Sequence, residues 1–547
     1  MLKNINKICR GSIPVLLILA IALFARLVLF FHDVTIDNDG IAYGLAGKNL
    51  VESGKYEVYG DPLLIYPPVY PIAIGIVDHF SGNLLFSGRF VSLLFGMLLV
   101  YAFYAFGKKL YGKEAGLFAS FFAATNYSLI IYSQETQAES MYLFFILLTF
   151  YFYLKITEKY KNNFAIAMGS STAIAYLIRP EALLFLILSL VFFIQRMRGF
   201  EPKKAVLGFF LMLFSFLAVS TPYIYFLYKY TGKISLTEKA SSNIIHGVIF
   251  DGIDKERLGD EEARYYERSI AYYDESTNMI KDPSEFREIS LDKSILNDSD
   301  KFILKYIRSV KSEIMVLLAD HSVNLILLPL LVTYIYFIRS KKDKNNIGVM
   351  SLISFLYFLI LPFFHIESRY LLQVLVFLIL LSSFGYAMRK DFKLSILRLE
   401  LPSKIFFSYM RIMILFLVSL QFVFSIVLFS LFSRTEDYPW EYKLAGEFIK
   451  NDHLQEKDVV IMSRNRSIVS YYANTEHGGV NIPYTDALNV IKFAKANKVN
   501  YIVIDKRFLQ IRENYDELAD LDRYAVGIKL VYEDDSVYPV RVFKLSY

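Results

Sequence analysis

An α-helical multipass membrane protein with a small α/β domain at its carboxyl end is what this sequence predicts, on three observations. The 547 residues are 55% hydrophobic and 16% aromatic, more apolar surface than one soluble core buries. That apolarity falls in uninterrupted runs of roughly 17 to 25 residues, the length a helix needs to cross a ~30 Å hydrocarbon layer, and none alternates as a barrel strand does. After Leu431 the hydropathy collapses, and helix-period and strand-period segments then alternate to the end.

The apolar runs number about eleven, over residues 12–31, 86–106, 115–132, 140–154, 164–178, 182–195, 205–228, 322–338, 347–363, 370–388 and 405–432. Lys3, Lys7 and Arg10 ahead of the first run give it a signal-peptide layout, but the run is long and lacks a small-residue cleavage site, so it reads as a retained span. Every second connection is basic: Lys108, Lys109 and Lys113; Lys155, Lys159 and Lys161; Arg196, Arg198, Lys203 and Lys204; Arg339, Lys341, Lys342 and Lys344; Arg389, Lys390, Lys393 and Lys404. These and the amino terminus are predicted to face the cytoplasm. The alternate connections then face outward: a first loop over 32–84, the short SQETQAE, an RPE corner, a long segment over 229–320, and HIESR.

The formal net charge of +6 sits in those short clusters, where it orients the chain and offers no continuous surface to nucleic acid. Cys9 is the only cysteine, so no disulfide forms within the chain, and no Cys/His pattern for zinc is present. An odd span count places the tail outside the cell membrane. Residues 1–432 read as the membrane domain and 433–547 as an extracytoplasmic α/β domain. The tail should hold a helix over 440–449, a strand at DVVIMS, a helix over 486–496, a strand at YIVID, and LVYEDD paired with VRVFKL.

Charged residues gather on the outward side. Asp37, Asn38 and Asp39 open the first loop just past a span, and Ile41, Ala42, Leu45, Ala46 and Leu50 follow at helical spacing until Gly54. One Asp or Asn there suffices as a helix cap. Two aspartates within three residues exceed what a cap requires, and an ionised carboxylate at that depth is available as a general base. The Tyr66-Pro67-Pro68-Val69-Tyr70-Pro71 run reads as extended chain lying flat at the interface, either structural or in contact with substrate. Arg89 opens the second span, where it snorkels or pairs with a loop carboxylate. Glu135 and Glu139 flank the fourth span; Glu139 reads as facing a polar cavity, and Arg179 with Glu181 brackets Pro180 as either cavity lining or a salt-bridged turn. His365, Glu367 and Arg369 precede the tenth span, and an Arg there is suited to grip a phosphate.

In this order, DNDGIAY with GLAGKNL, YPPVYP, SGRFVSLLFG, ETQAESMYLFF, AYLIRPEALL, TPYIYFLYKYTG and ESRYLLQVL resemble the GT-C membrane glycosyltransferases. The likeness is to the dolichyl-phosphate-mannose protein mannosyltransferases (glycosyltransferase family 39) and their bacterial relatives that move aminoarabinose onto lipid A, over roughly Leu16 to Met388. The resemblance implies a GT-C fold with interfacial helices in the first outer loop, and transfer of a sugar from a polyprenyl-phosphate carrier to a protein, lipid or glycan acceptor at the outer membrane face, with inversion. Asp39 matches the family's first-loop acid, described there as general base, and Arg369 the late-loop Arg that faces the carrier phosphate. Glu139 corresponds to an acidic position of the second outer loop. The family often has Asp-Glu where this chain has Asp39-Gly40, so Asp37 is the candidate for the missing acid.

The chemistry has its own logic: a sugar phosphate is already activated, so the enzyme deprotonates an acceptor and stabilises the departing phosphate. Asp39 is placed for the first and Arg369, with Arg179, for the second; no metal is obligatory and no cofactor is expected. The rival reading is a secondary transporter or lipid-linked sugar flippase, which predicts repeated halves and mid-membrane charge that are not seen here. A scaffold without activity is a third, and ATP-driven transport lacks its Gly-rich phosphate loop.

Overall fold

The structure is a computed structural model that describes residues 2–31, 34–187, 190, 202–239, 272–274, 279–281, 306–315, 321–339, 344–363, 368–387, 395–396, 399–400, 403–432, 439–453, 458–509, 515–535 and 538–546. His365 and Glu367 of the HIESR loop lie outside the described residues, as does most of the long segment over 229–320.

The membrane part is built from α1 (Leu2–Phe30), α4 (Leu84–Tyr111), α5 (Lys113–Thr125), α6 (Tyr127–Ile131), α7 (Glu139–Glu158), α8 (Asn162–Tyr176), α9 (Pro202–Thr231), α10 (His321–Arg339), α11 (Lys344–Ile360), α12 (Ser368–Ala387) and α13 (Ser403–Phe432), with α2 (Asn38–Ser53) and α3 (Val69–Ser81) in the first loop. Among the described residues, five helical stretches are long and apolar enough to cross a membrane: Ser12–Phe30, Leu84–Tyr111, Glu139–Glu158, Val206–Thr231 and Arg369–Ala387. Leu, Ile, Phe and Ala from α4, α5, α7, α8 and α12 form one continuous buried core, while Phe24, Phe210, Phe214 and Phe416 remain exposed on its flanks, where lipid replaces water as the solvent.

Two elements depart from the sequence expectation. The span over 115–132 is broken at Asn126, whose ψ of 126° ends α5 and whose side chain accepts from Leu129 N–H to cap α6. Arg26 of α1 seals that break: it is 1% exposed and donates to the carbonyls of Ala123 and Ala124, in the last turn of α5, and to that of Leu129 in α6. The Tyr-Pro run is the second. It is not extended throughout: Pro68 is already helical in backbone (φ −86°, ψ −14°), and α3 starts at Val69 and takes Tyr70 and Pro71 into its first turn, where a missing N–H costs nothing.

The loop helices cross in backbone contact. A Cβ on Gly47 would lie 1.9 Å from the Pro71 carbonyl oxygen, and one on Gly75 would lie 2.2 Å from that of Gly47. Only glycine at both positions permits the approach, and it fixes α3, and Tyr66 just before it, against α2.

The tail forms a four-stranded mixed sheet of β1 (Ile461–Ser463), β2 (Tyr501–Asp505), β3 (Ile528–Asp534) and β4 (Val540–Leu545), in the order β1-β2-β4-β3. β1 and β2 run parallel; β4 is antiparallel to both its neighbours. The expected helices are present as Trp440–Asp452 and Ala487–Ala496, and a further one, Arg466–Ala473, was not anticipated. The tail is not detached: Ile36 and Ile41 of the first loop, 1% and 0% exposed, belong to the same buried cluster as Tyr442, Val469, Tyr501 and Val542. Tyr472 Oη accepts from Ile36 N–H at 3.0 Å, and Asn465 accepts from the Asn38 amide at 3.2 Å.

Candidate active site in the crevice around Asp39

Asp37 ends the extended entry to α2 (φ −86°, ψ 173°) and caps the helix, its Oδ1 accepting from Gly40 N–H at 2.8 Å. Capping and chemistry are therefore not alternatives here, because Oδ2 points away from the helix and accepts from the Gln137 amide at 2.5 Å. Asp39, one turn-residue later, projects to the other partners. Its Oδ1 accepts from Tyr66 Oη at 2.7 Å and its Oδ2 from Arg369 Nη1 at 3.0 Å. Arg369 Nη1 also reaches Gln137 Oε1 at 3.4 Å. The side chains of Asp39 and Arg369 are 23% and 19% exposed, the partial exposure of groups lining a crevice rather than filling a core.

A Cβ on Gly40 would meet Asp37 Oδ1 at 2.7 Å and Ile36 Cγ1 at 2.9 Å, so a side chain there would have to displace the Asp37 carboxylate from its cap.

The cationic side is assembled around one ring. Arg369, Arg179 and Lys239 have their charged groups 5.4, 5.1 and 5.9 Å from the centroid of Tyr370. Arg179 pairs with buried Glu139 and with Glu181 at 3.2 Å, and Lys239 lies 3.5 Å from Glu181 and 5.7 Å from the Tyr66 ring. Glu139, expected to face a cavity, is instead 2% exposed and bonded to Arg179 at the start of α7. The RPE corner is thus a salt-bridged turn and part of the crevice wall at once.

Arg89 is placed otherwise. It is buried, donates to the carbonyls of Gln134 at 2.9 Å and Leu29 at 2.8 Å, and its guanidinium stacks over Phe30 at 4.9 Å. It ties the connection between α6 and α7 to the end of α1.

Two residues now in the site were not picked out from sequence. Gln137 carries no charge and sits in a polar loop, which gives it no signature; Lys239 opens a segment rich in charge, where one lysine does not stand out. What does follow the sequence is sidedness: the first loop, SQETQAE, the RPE corner, the start of the long segment and the residues after HIES all meet at one end of the bundle.

Electrostatics split the two acids. Although Asp37 as a residue is exposed, desolvation of its carboxyl among the loops and the neighbouring charge of Asp39 push it up to about 7. Burial also pushes Asp39 up, but Arg369, the Tyr66 hydroxyl and Lys239 outweigh it and hold that carboxyl below its ordinary value. Burial raises Tyr66 well above its usual range, with Asp39 adding to the rise, so its hydroxyl stays a donor. Among the described residues no three His, Cys, Asp or Glu side chains converge on a point that would hold a metal ion.

Comparison with known proteins bears on the fold. Residues 66–225 match the family model described as dolichyl-phosphate-mannose-protein mannosyltransferase, under a third of the chain. ArnT from Cupriavidus metallidurans in the apo state superposes with a TM-score of 0.58 at 11% identity, covering 96% of this chain and 97% of that one. ArnT bound to undecaprenyl phosphate gives 0.58 and 11%, covering 97% and 98%. The Archaeoglobus fulgidus oligosaccharyltransferase in complex with zinc and sulfate gives 0.56 at 11%, covering 95% of this chain and 72% of its own. No curated protein sequence matches the chain significantly. The chain thus has the fold of the GT-C membrane glycosyltransferases, with a membrane core similar to the protein mannosyltransferases and to ArnT.

Proposed function

We propose that the protein is a glycosyltransferase that moves a sugar from a polyprenyl-phosphate carrier onto a hydroxyl or amine of a protein, lipid or glycan acceptor at the outer membrane face, with inversion. The observation that carries this reading is the Asp39–Arg369 pair at 3.0 Å, joined across 330 residues of sequence in a crevice whose other wall holds Arg179 and Lys239. ArnT, similar in fold over nearly its whole length, has been crystallised with undecaprenyl phosphate, which supports a carrier of that class.

In this scheme the acceptor's lone pair attacks the anomeric carbon, the bond from that carbon to the phosphate oxygen breaks, and the carrier leaves as a polyprenyl phosphate. The acceptor proton goes to the Asp37/Asp39 pair. Asp39, held low by its cation and its Tyr66 donor, is a weak base on its own in the resting site, whereas Asp37 is poised near neutral pH, where a base accepts and releases protons most effectively. Arg369, with Arg179 and Lys239 beside it, neutralises charge on the departing phosphate. A single displacement needs no second carboxylate acting separately, and the scheme calls on no metal. The transport alternative gains nothing from Arg26, the buried charge of the first span, because its guanidinium is spent on backbone carbonyls.

The test is transfer from labelled polyprenyl-phosphate sugars by membranes carrying wild type, Asp39→Asn or Arg369→Ala. Both variants should lose roughly 100-fold or more in rate. Transfer at the wild-type rate by Asp39→Asn would remove Asp39 as the base.

A further inference from the structure

Gln137 lies between the two halves of the site, and everything around it fixes it there. Its loop is bolted to the helices on either side: Arg89 Nε holds the Gln134 carbonyl at 2.9 Å, and Ser92 Oγ donates to the Gln137 carbonyl at 3.0 Å while sharing a hydrogen bond of 2.8 Å with Tyr70. Thr136 packs against two glycines. A Cβ on Gly88 would lie 2.2 Å from its methyl carbon, and one on Gly40 would lie 3.1 Å from its Cβ. A side chain at either position would push the loop off α2 and α4. Gln137 itself is 4% exposed.

From this geometry we propose that Gln137 is a positioning residue of the transfer reaction, its amide joining Asp37 to Arg369 and holding the Asp37 carboxyl in line to take the acceptor proton. The residue type is dictated by its neighbours. An ionised Asp37 only accepts hydrogen bonds and Arg369 only donates them, so the side chain between them must present a donor to one and an acceptor to the other. A primary amide does both without a charge. Glutamate in its place would face Asp37 with a third carboxylate, and leucine would offer neither bond.

The inference rests on the transferase reading for its functional meaning, but its physical content is separable. Asp37 is faced by Asp39 from its own helix, Arg369 from α12, the hydroxyls of Tyr66 and Tyr70 from the entry and first turn of α3, and Gln137 from the second outer connection. Of these, Gln137 favours the ionised form of Asp37 through its N–H, so it opposes the rise that burial and Asp39 impose.

The experiment is an infrared difference titration of the full-length protein in lipid nanodiscs, following the protonated-carboxyl stretch, alongside the pH dependence of sugar transfer. Wild type should show a band that titrates near 7, and Asp37→Asn should abolish it. Gln137→Leu should move the midpoint upward by roughly one pH unit, with the acidic limb of the rate profile moving by the same amount and kcat falling at least tenfold. Gln134→Ala, a change on the same loop whose side-chain amide donates to the Ile130 carbonyl of α6, should leave the midpoint in place and so controls for loop disorder. A Gln137→Leu midpoint that coincides with wild type overturns the proposal, as does an Asp37→Asn spectrum that loses no band near 7; the band of Glu313, raised to about 8, should remain in every variant. If the titrations behave as described while no polyprenyl-phosphate sugar is transferred by wild type, the link between Gln137 and Asp37 stands and the transferase reading is what fails.

Discussion

Tyr66 donates to Asp39 and so stabilises its charge. Tyr66→Phe removes that donor without opening space, so Asp39 ionises less readily and kcat should fall while the acidic limb set by Asp37 stays in place; an unchanged kcat would detach Asp39 from the proton transfer. Asp37 makes a prediction about stability. Its carboxyl is raised to about 7 in the folded protein from an ordinary value of 3.8, so between those values the native state holds a proton that the unfolded chain has released, and this group's contribution to stability falls as pH rises through that window. Asn also caps helices well. Asp37→Asn should therefore match wild type in thermal unfolding at low pH and exceed it above pH 7, even as transfer is lost. Arg179 is different again, since its removal leaves Glu139 buried without its cation. Arg179→Ala should cost roughly 3 to 5 kcal/mol, read as faster thermal inactivation in detergent. Asp37, Asp39 and Arg369 were legible in the sequence because acids and arginines beside apolar spans are costly and few. Gln137 was not, because a neutral amide in a polar loop costs nothing and so marks nothing.

The crossing of α2 and α3 is what an element-scale test should target. Gly47→Ala or Gly75→Ala forces the two backbones apart, since each new methyl would sit about 2 Å from a carbonyl oxygen. Overpacking of this kind costs typically 1–3 kcal/mol, and because Tyr66 precedes α3 while Asp39 lies on α2, the displacement should be felt in kcat more than in donor affinity. Steady-state kinetics on either variant checks this; equal losses in kcat and affinity would argue against it. The first helix of the loop could be read from its periodicity and its cap. The second could not, because a Tyr-Pro run argues for extended chain, and only the tertiary approach at Gly47 and Gly75 settles that its last three residues form the first turn of a helix. The same holds for the break at Asn126: hydropathy averages over an interruption that a single capping side chain creates.

At the scale of the whole molecule, the sequence gives the membrane class and the strands of the tail, because apolar run length and alternation are local properties. It is silent on where the tail sits, because nothing local encodes the contact of Ile36 with Tyr442 and Val469. That contact predicts that Ile36→Ala should destabilise by roughly 2 to 5 kcal/mol and loosen the carboxylates that it neighbours. Tyr472→Phe, which removes the hydroxyl that accepts from Ile36 N–H, should lower kcat while leaving donor binding unchanged; a loss confined to donor binding would refute the positional role.

Because the bed on which residues 36 to 41 rest is made from residues 442 to 542, the ribosome must deliver nearly the entire polypeptide before its thirty-seventh residue finds its final place. Every span can be inserted and the bundle assembled while the reaction centre stays unfinished. A copy that ends before the last strand therefore lacks part of the surface that holds Asp37 and Asp39.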